Sequence, residues 1–375
     1  MTATMMILRL ACAWASVAAF LLLGDTLLGL LGAPLPSLFV FLWLLGIVIW
    51  SSFGVVHEAE DLAEKLGEPY GTLILTLSIV IIEVALVGAV MLGATGAPTL
   101  GRDTMFAVLM IVLNGVVGIG LLIGGLRHFS QRYNLKGASA YLAVIIPLTV
   151  IPLFLPNFTT STPDGTLTSF QAIAFSVFTV ALYGAFLALQ TGRHSMFFRE
   201  PEPEDAKPAV ASAMVEQEHA SPATSGDILL RVALLLANIL PIVILSKSLA
   251  KVLDFGIAKL GAPPALGGIL IAMVVFTPEC IAALRAITAN QLQRAINLCL
   301  GAATSTLGMT VPAVLLIGVF TGQPVVLGLS ATNMVIAAMT LLLSTLTFTG
   351  TRTTMLEGAV HLAVFFVFLV LVFSP

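Results

Sequence analysis

Charge is what this sequence has least of. Only 9% of its 375 residues are Asp, Glu, Lys or Arg, where soluble domains carry about 25%, and a soluble fold is excluded on that ground. The 16 Lys and Arg residues collect at the ends of apolar segments and make no basic patch, and the formal net charge is −3. Nucleic acid is therefore not an expected partner. Cysteine is also sparse: Cys12, Cys280 and Cys299 all lie in apolar segments, with no paired spacing for a disulfide framework or a zinc site. Gly-x-Ser-x-Gly and His-Glu-x-x-His elements are missing, and no apolar segment sets a histidine beside a nucleophile. An enzyme is not expected, and neither is a cofactor.

What is abundant is hydrocarbon. Hydrophobic residues make up 58% of the chain and the mean hydropathy is +1.07. A bilayer core takes about 20 apolar residues per spanning helix. Segments of that kind fall at 7–32, 37–56, 70–94, 104–126, 138–156, 168–191, 228–249, 264–284, 292–320, 325–349 and 354–374. The first lacks a small-residue cleavage site and is read as a retained helix. The one long polar stretch, Arg193 to Asp227, is rich in proline and acid and reads as a flexible linker outside the membrane. With the N-terminus in the cytoplasm, twelve basic residues fall on the cytoplasmic side and only Arg102, Lys247, Lys251 and Lys259 fall outside. That bias predicts a cytoplasmic N-terminus and linker and an external C-terminus.

The expected fold is thus an all-α polytopic membrane protein of eleven transmembrane helices. An extra first helix spans residues 1–34, five-helix halves span 35–192 and 228–375, and the acidic linker spans 193–227. Five being odd, the halves enter the membrane from opposite sides, the arrangement of inverted repeats in secondary transporters. The second span of each half carries one central glutamate, Glu83 or Glu279, and a Gly-rich third span follows.

An ionised carboxylate at the bilayer centre costs at least about 2.5–3.5 kcal/mol, so both glutamates are read as functional. The plainer alternative is a protonated glutamate bonded between helices. Pro278, just before Glu279, has no N–H for the carbonyl of Val274, and a freed carbonyl beside a carboxylate suits a hard cation. A simple packing kink would also explain it. Asn114 and the hydroxyls of Thr304 and Ser305 in the third spans are candidate neutral ligands, or else parts of close-packed seams. Between spans, Glu58, Asp61 and Lys65 share one helical face that gathers cations or is merely a solvated helix end. Glu68, before Pro69, is the acid of that stretch taken as a ligand. Asp25 and Glu357 read as interfacial, and His361, one turn beyond Glu357, either pairs with it or is a satisfied packing histidine.

Leu66 to Ser78 and Ile81 to Leu86, with Thr277-Pro278-Glu279 and Gly301 to Thr306, resemble the two signature repeats of the calcium/proton antiporters, in the bacterial ChaA-type branch of the cation/Ca²⁺ exchanger superfamily. The resemblance covers nearly the whole chain. It implies a bacterial plasma-membrane antiporter in which Glu83 and Glu279 bind Ca²⁺ and protons in turn, with Na⁺ or K⁺ as alternative cargo. A cation channel is the more distant alternative. Vacuolar-type members of the superfamily carry Gly-Asn-x-x-Glu, whereas here Ile79-Val80 and Phe276-Thr277 precede the acids, so that amide is missing in both repeats.

Overall fold

The computed structural model describes residues 3–66, 70–93, 98–163, 165–201, 225–350 and 352–374. Among them the apolar runs form eleven helical rods. In chain order these are α1 Ala3–Gly29, α2 Pro34–Leu66, α3 Tyr70–Gly93, α4 Leu100–His128, α5 Leu135–Leu153 and α6 Ser169–Thr191. After the linker come α7 Ser225–Leu260, α8 Ala265–Thr288, α9 Leu292–Thr321, α10 Ala331–Thr347 and α11 Met355–Phe373. Nine of the described helices are long and apolar enough to cross a membrane. Their ends are closed by local chemistry. Thr168 with Gln171 and Thr354 with Glu357 form capping boxes at the starts of α6 and α11. Glu357, expected at the interface, is thereby a cap.

The third rod of each half packs on the second rod of the other, α4 on α8 and α9 on α3. Gly268 sets the first crossing: a methyl group there would lie 2.8 Å from the backbone nitrogen of Thr104. Both third rods widen into a π-helical turn at mid-length, Met110–Val116 in α4 and Thr306–Thr310 in α9. Such turns inside α-helices occur frequently at functional sites. Helix α8 keeps its α-helical course through Pro278, although the proline leaves the carbonyl of Val274 without its ladder donor.

Three boundaries differ from the sequence expectation by more than four residues. Helix α2 continues to Leu66, ten residues past its apolar run, because its acids are paired. Glu58 is fully buried, with Arg231 of α7 donating to it at 2.8 Å and Arg9 of α1 3.9 Å away. Asp61 meets Arg231 at 2.6 Å, Lys65 meets Asp227 at 4.0 Å, and Arg9 donates to Asn238 at 3.0 Å. Gly54 leaves the space that the Arg9 side chain fills. This acidic face is neither a cation-gathering mouth nor a solvated end; it clamps α1, α2 and α7 together. Helix α7 likewise runs to Leu260, where Lys259 donates to the carbonyl of Gly32 at 3.0 Å. Helix α10 starts late, because Gly322 at φ +69° ends α9 and the chain then extends. Its N–H groups there donate to Pro98, Gly165 and Leu153.

The linker expected over 193–227 is shorter, since α7 already begins at Ser225. At its other end a helical turn at Ser195–Phe198 is docked on the protein. Phe198 packs 5.3 Å from Tyr141 and 5.8 Å from Phe186, ring centre to ring centre, and its carbonyl accepts from Asn297 at 2.6 Å. The acids from Glu202 to Glu218, and Glu68, lie outside the described residues.

Candidate functional site

Glu83 and Glu279 stand in the middle of 24-residue helices, α3 and α8. Each is almost sealed from solvent, at 1% and 8% exposure, and Glu279 lies within electrostatic reach of Glu83. The crossing pattern brings the π turn of α9 against α3. Thr306 then donates to one oxygen of Glu83 at 2.7 Å and Thr310 to the other at 3.0 Å. Both threonines are fully buried. Both oxygens of the first glutamate are thus held by a fixed pair of donors.

Glu279 meets a different surface. The π turn of α4 offers it Val112 and Val116, which border a small cavity of about 10 Å³ together with Glu279, Cys280 and Cys299. Its Oε2 is buried with no hydrogen-bond partner among the described residues. That cavity is about the size of one water molecule. Glu279 also reaches the floor of a much larger cavity, of about 530 Å³, walled by Tyr141, Tyr183, Gln190, Asn297 and Ser305. Arg199, Arg294 and Glu60 line it as well and are exposed to solvent. This vestibule therefore runs from the linker side of the protein to Glu279, and Glu83 is not among its lining residues. Tyr183 lies within electrostatic reach of Glu83.

Of the neutral ligands expected from sequence, Ser305 lines the vestibule with Glu279, whereas Asn114 and Thr304 are engaged elsewhere. Asn114 lies in the π turn of α4, but its amide donates to Thr340 at 2.8 Å and its carbonyl oxygen stands 3.0 Å from Nδ1 of His361. With the amide nitrogen donating to Thr340, that oxygen accepts from His361. Nε2 of His361 meets Thr347 at 3.0 Å. This buried network ties α4 to α10 and α11, and it pairs His361 with Asn114 and Thr347 and not with Glu357. Thr304 returns its hydroxyl to the carbonyl of Leu300 at 2.7 Å and Ser305 to that of Ala302 at 3.0 Å, so neither hydroxyl donates to a carboxylate. Thr306 and Thr310 do. Thr306 closes the Gly301 to Thr306 stretch and Thr310 lies one turn beyond it; their i, i+4 spacing in the same Gly-rich span is the signal the sequence holds.

The vestibule wall includes the docked start of the linker. The Glu200 carboxyl sits over the first turn of α9, held above its ordinary value by desolvation and drawn back down by the N–H groups of Gln293 and Arg294. Among the described residues no cluster of three or more His, Cys, Asp or Glu side chains stands at metal-holding spacing. A cation at this site would take its oxygens from two carboxylates and neutral groups around them.

Comparison with known proteins places these features. A family profile described as sodium/calcium exchanger protein matches residues 36–192 and 230–374. The sodium-potassium/proton antiporter ChaA of Escherichia coli strain K12 is 37% identical over 330 residues, covering 87% of this chain and 87% of that protein. Two solved structures share the fold at low identity. The Ca²⁺/H⁺ antiporter protein YfkE aligns at TM-score 0.67 and 18% identity over 97% of this chain and 99% of that one. The H⁺/Ca²⁺ exchanger CAX aligns at 0.70 and 16% over 97% and 88%.

Proposed function

Since the chain belongs to the sodium/calcium exchanger family of cation antiporters, we propose that it exchanges Ca²⁺ for protons, both competing for Glu83 and Glu279. The observation that carries this reading is the pair of buried carboxylates, Glu83 held by two hydroxyls and Glu279 with an unpartnered oxygen at the floor of the vestibule. Two ionised glutamates match the charge of one divalent ion. A hard cation takes six to eight oxygens at about 2.3–2.6 Å, and the hydroxyls of Thr306 and Thr310, helix carbonyls and water supply the neutral share. When the cation leaves, two desolvated and mutually repelling carboxylates draw in protons. One pair of carboxylates cannot serve both ligands at once, and that makes the exchange obligatory. The protein acts by transport and not as an enzyme, in a bacterial plasma membrane with the N-terminus and linker in the cytoplasm, in line with the distribution of its basic residues.

A second reading, Na⁺ or K⁺ as cargo, is favoured by the name of the 37% identical relative. The test is purified protein in liposomes under an imposed pH gradient, with Ca²⁺, Na⁺ and K⁺ fluxes followed in parallel. Proton-coupled Ca²⁺ movement is expected; movement of Na⁺ or K⁺ alone would replace Ca²⁺ by that ion. Flux without proton counter-movement would make the protein a channel. Calorimetry across a pH series counts the protons. Well below both macroscopic pKa values, Ca²⁺ affinity falls about a hundredfold per pH unit if both glutamates must ionise and about tenfold if one must.

A further inference from the structure

The vestibule is lined mostly by neutral groups. Among its described lining residues only Glu60, Arg199, Arg294 and Glu279 carry charge, and the first three are the solvent-exposed ones. The two arginines come from segments far apart in sequence and are brought to one place by specific bonds. Asn297 donates to the carbonyl of Phe198, and the Glu200 carboxylate accepts from the N–H groups of Gln293 and Arg294. The start of the linker is thereby fastened to the first turns of α9, which brings Arg199 and Arg294 to the wall of one vestibule. The positive end of the α9 dipole lies at the same place. Two arginines at the entrance of a cation path are a poor choice for collecting cations, and packing does not require exposed guanidinium groups there.

We infer that Arg199 and Arg294, together with Glu60, form a charged rim that sets how strongly the transporter discriminates between divalent and monovalent cations arriving from the linker side. The physics is in the valence. A potential at the rim changes the local concentration of an ion exponentially in its charge, so whatever factor a rim charge imposes on K⁺ or Na⁺ it imposes squared on Ca²⁺. Low-dielectric walls focus that potential along the vestibule. The arginines act against divalent ions and Glu60 acts for them.

The inference rests on the exchange reading above, and its test keeps the two separate. The full chain is reconstituted with the linker face accessible, and kcat/KM is measured at sub-saturating cation and about 10 mM ionic strength. For charges on the order of 10 Å from the ion's path, the double variant Arg199→Gln with Arg294→Gln should raise kcat/KM about two- to threefold for a monovalent cation and about four- to ninefold for a divalent one. The kcat should not change. Glu60→Gln should move both values the other way. At about 1 M salt, where the screening length is about 3 Å, the effects should vanish. The paired Arg→Lys variants should behave as wild type, which identifies charge as the cause. If wild type moves no cation, the exchange reading fails. If wild type transports but the Gln variants leave kcat/KM unchanged at low salt, or change it equally for both valences, the rim inference is overturned.

Discussion

Removing the hydroxyls that hold Glu83 is the sharpest test of the site. Thr306→Val keeps the shape of the side chain and deletes the donor 2.7 Å from the carboxylate. A hydrogen bond to a charged group is worth about 1.5–3 kcal/mol net, and this one favours the ionised glutamate that a cation needs over the protonated one that ends its stay. The variant should therefore weaken apparent cation affinity by about 10- to 150-fold. At alkaline pH, where few protons compete, part of the loss should be recovered. Thr310→Val, whose donor is at 3.0 Å, should act in the same direction. The double variant should lose less than the sum, because both donors serve one carboxylate. Thr304→Val is the control, since that hydroxyl serves only the carbonyl of Leu300, and it should keep nearly wild-type affinity. Calorimetric titration of wild type and the four variants at several pH values reads all of this. Wild-type affinity in Thr306→Val, or an equal loss in Thr304→Val, would refute the assignment of Thr306 as the group that tunes Glu83.

The remaining expectations concern the acids and the frame. Glu83→Gln and Glu279→Gln should each abolish cation flux driven by a pH gradient in liposomes while the protein still inserts and elutes as a folded species, and exchange at wild-type rate in either would remove that residue from the mechanism. Glu58→Ala removes the buried carboxylate that Arg9 and Arg231 share, leaving Arg231 with Asp61 and the fully buried Arg9 with Asn238; breaking a buried pair costs about 3–5 kcal/mol, so the thermal midpoint in detergent should fall clearly. Asp61→Asn, at a partly exposed position, should cost no more than about 1 kcal/mol. Deletion of residues 203–222 should leave exchange in liposomes intact. A deletion that also removes Phe198 and Glu200 should lower stability, because it strips the docked turn from Tyr141 and the start of α9.

Much of this was legible in the chain because the bilayer imposes a coarse grammar. Spans are long and apolar, and a glutamate amid Ile81, Ile82, Val84 and Ala85 has few innocent explanations. What stayed hidden was whatever depends on which face of a helix meets which neighbour. Asn114 and Thr306 read alike in sequence, as polar groups in Gly-rich spans. Yet the π turn of α4 points its amide toward Thr340 and His361, while the π turn of α9 points Thr306 and Thr310 at Glu83. A π turn has no hydropathy signature, so hydropathy gives no warning of that rotation. The acidic run after Phe53 misled for a related reason. Hydropathy marks Glu58 as the end of a span, and only the arrival of Arg231 from the other half turns it into a buried ionic joint.

The two halves share a plan, and their difference carries the function. Each offers a π turn of its third rod to a glutamate of the other half, but one turn brings two hydroxyls and the other brings Val112 and Val116. Glu83 is therefore held in place with both oxygens engaged, whereas Glu279 keeps one oxygen unpartnered at the end of the vestibule. A site of two identical glutamates would leave the order of events undecided. Glu279 lines the vestibule that opens on the linker side and Glu83 does not, so on the exchange reading a cation or proton from that side is expected to meet Glu279 first. If the order runs this way, Glu279→Gln should slow loading from the linker side more than Glu83→Gln does in single-turnover binding, even though both stop the full cycle. Equal loading rates in the two variants would show that the asymmetry of donors does not set the order.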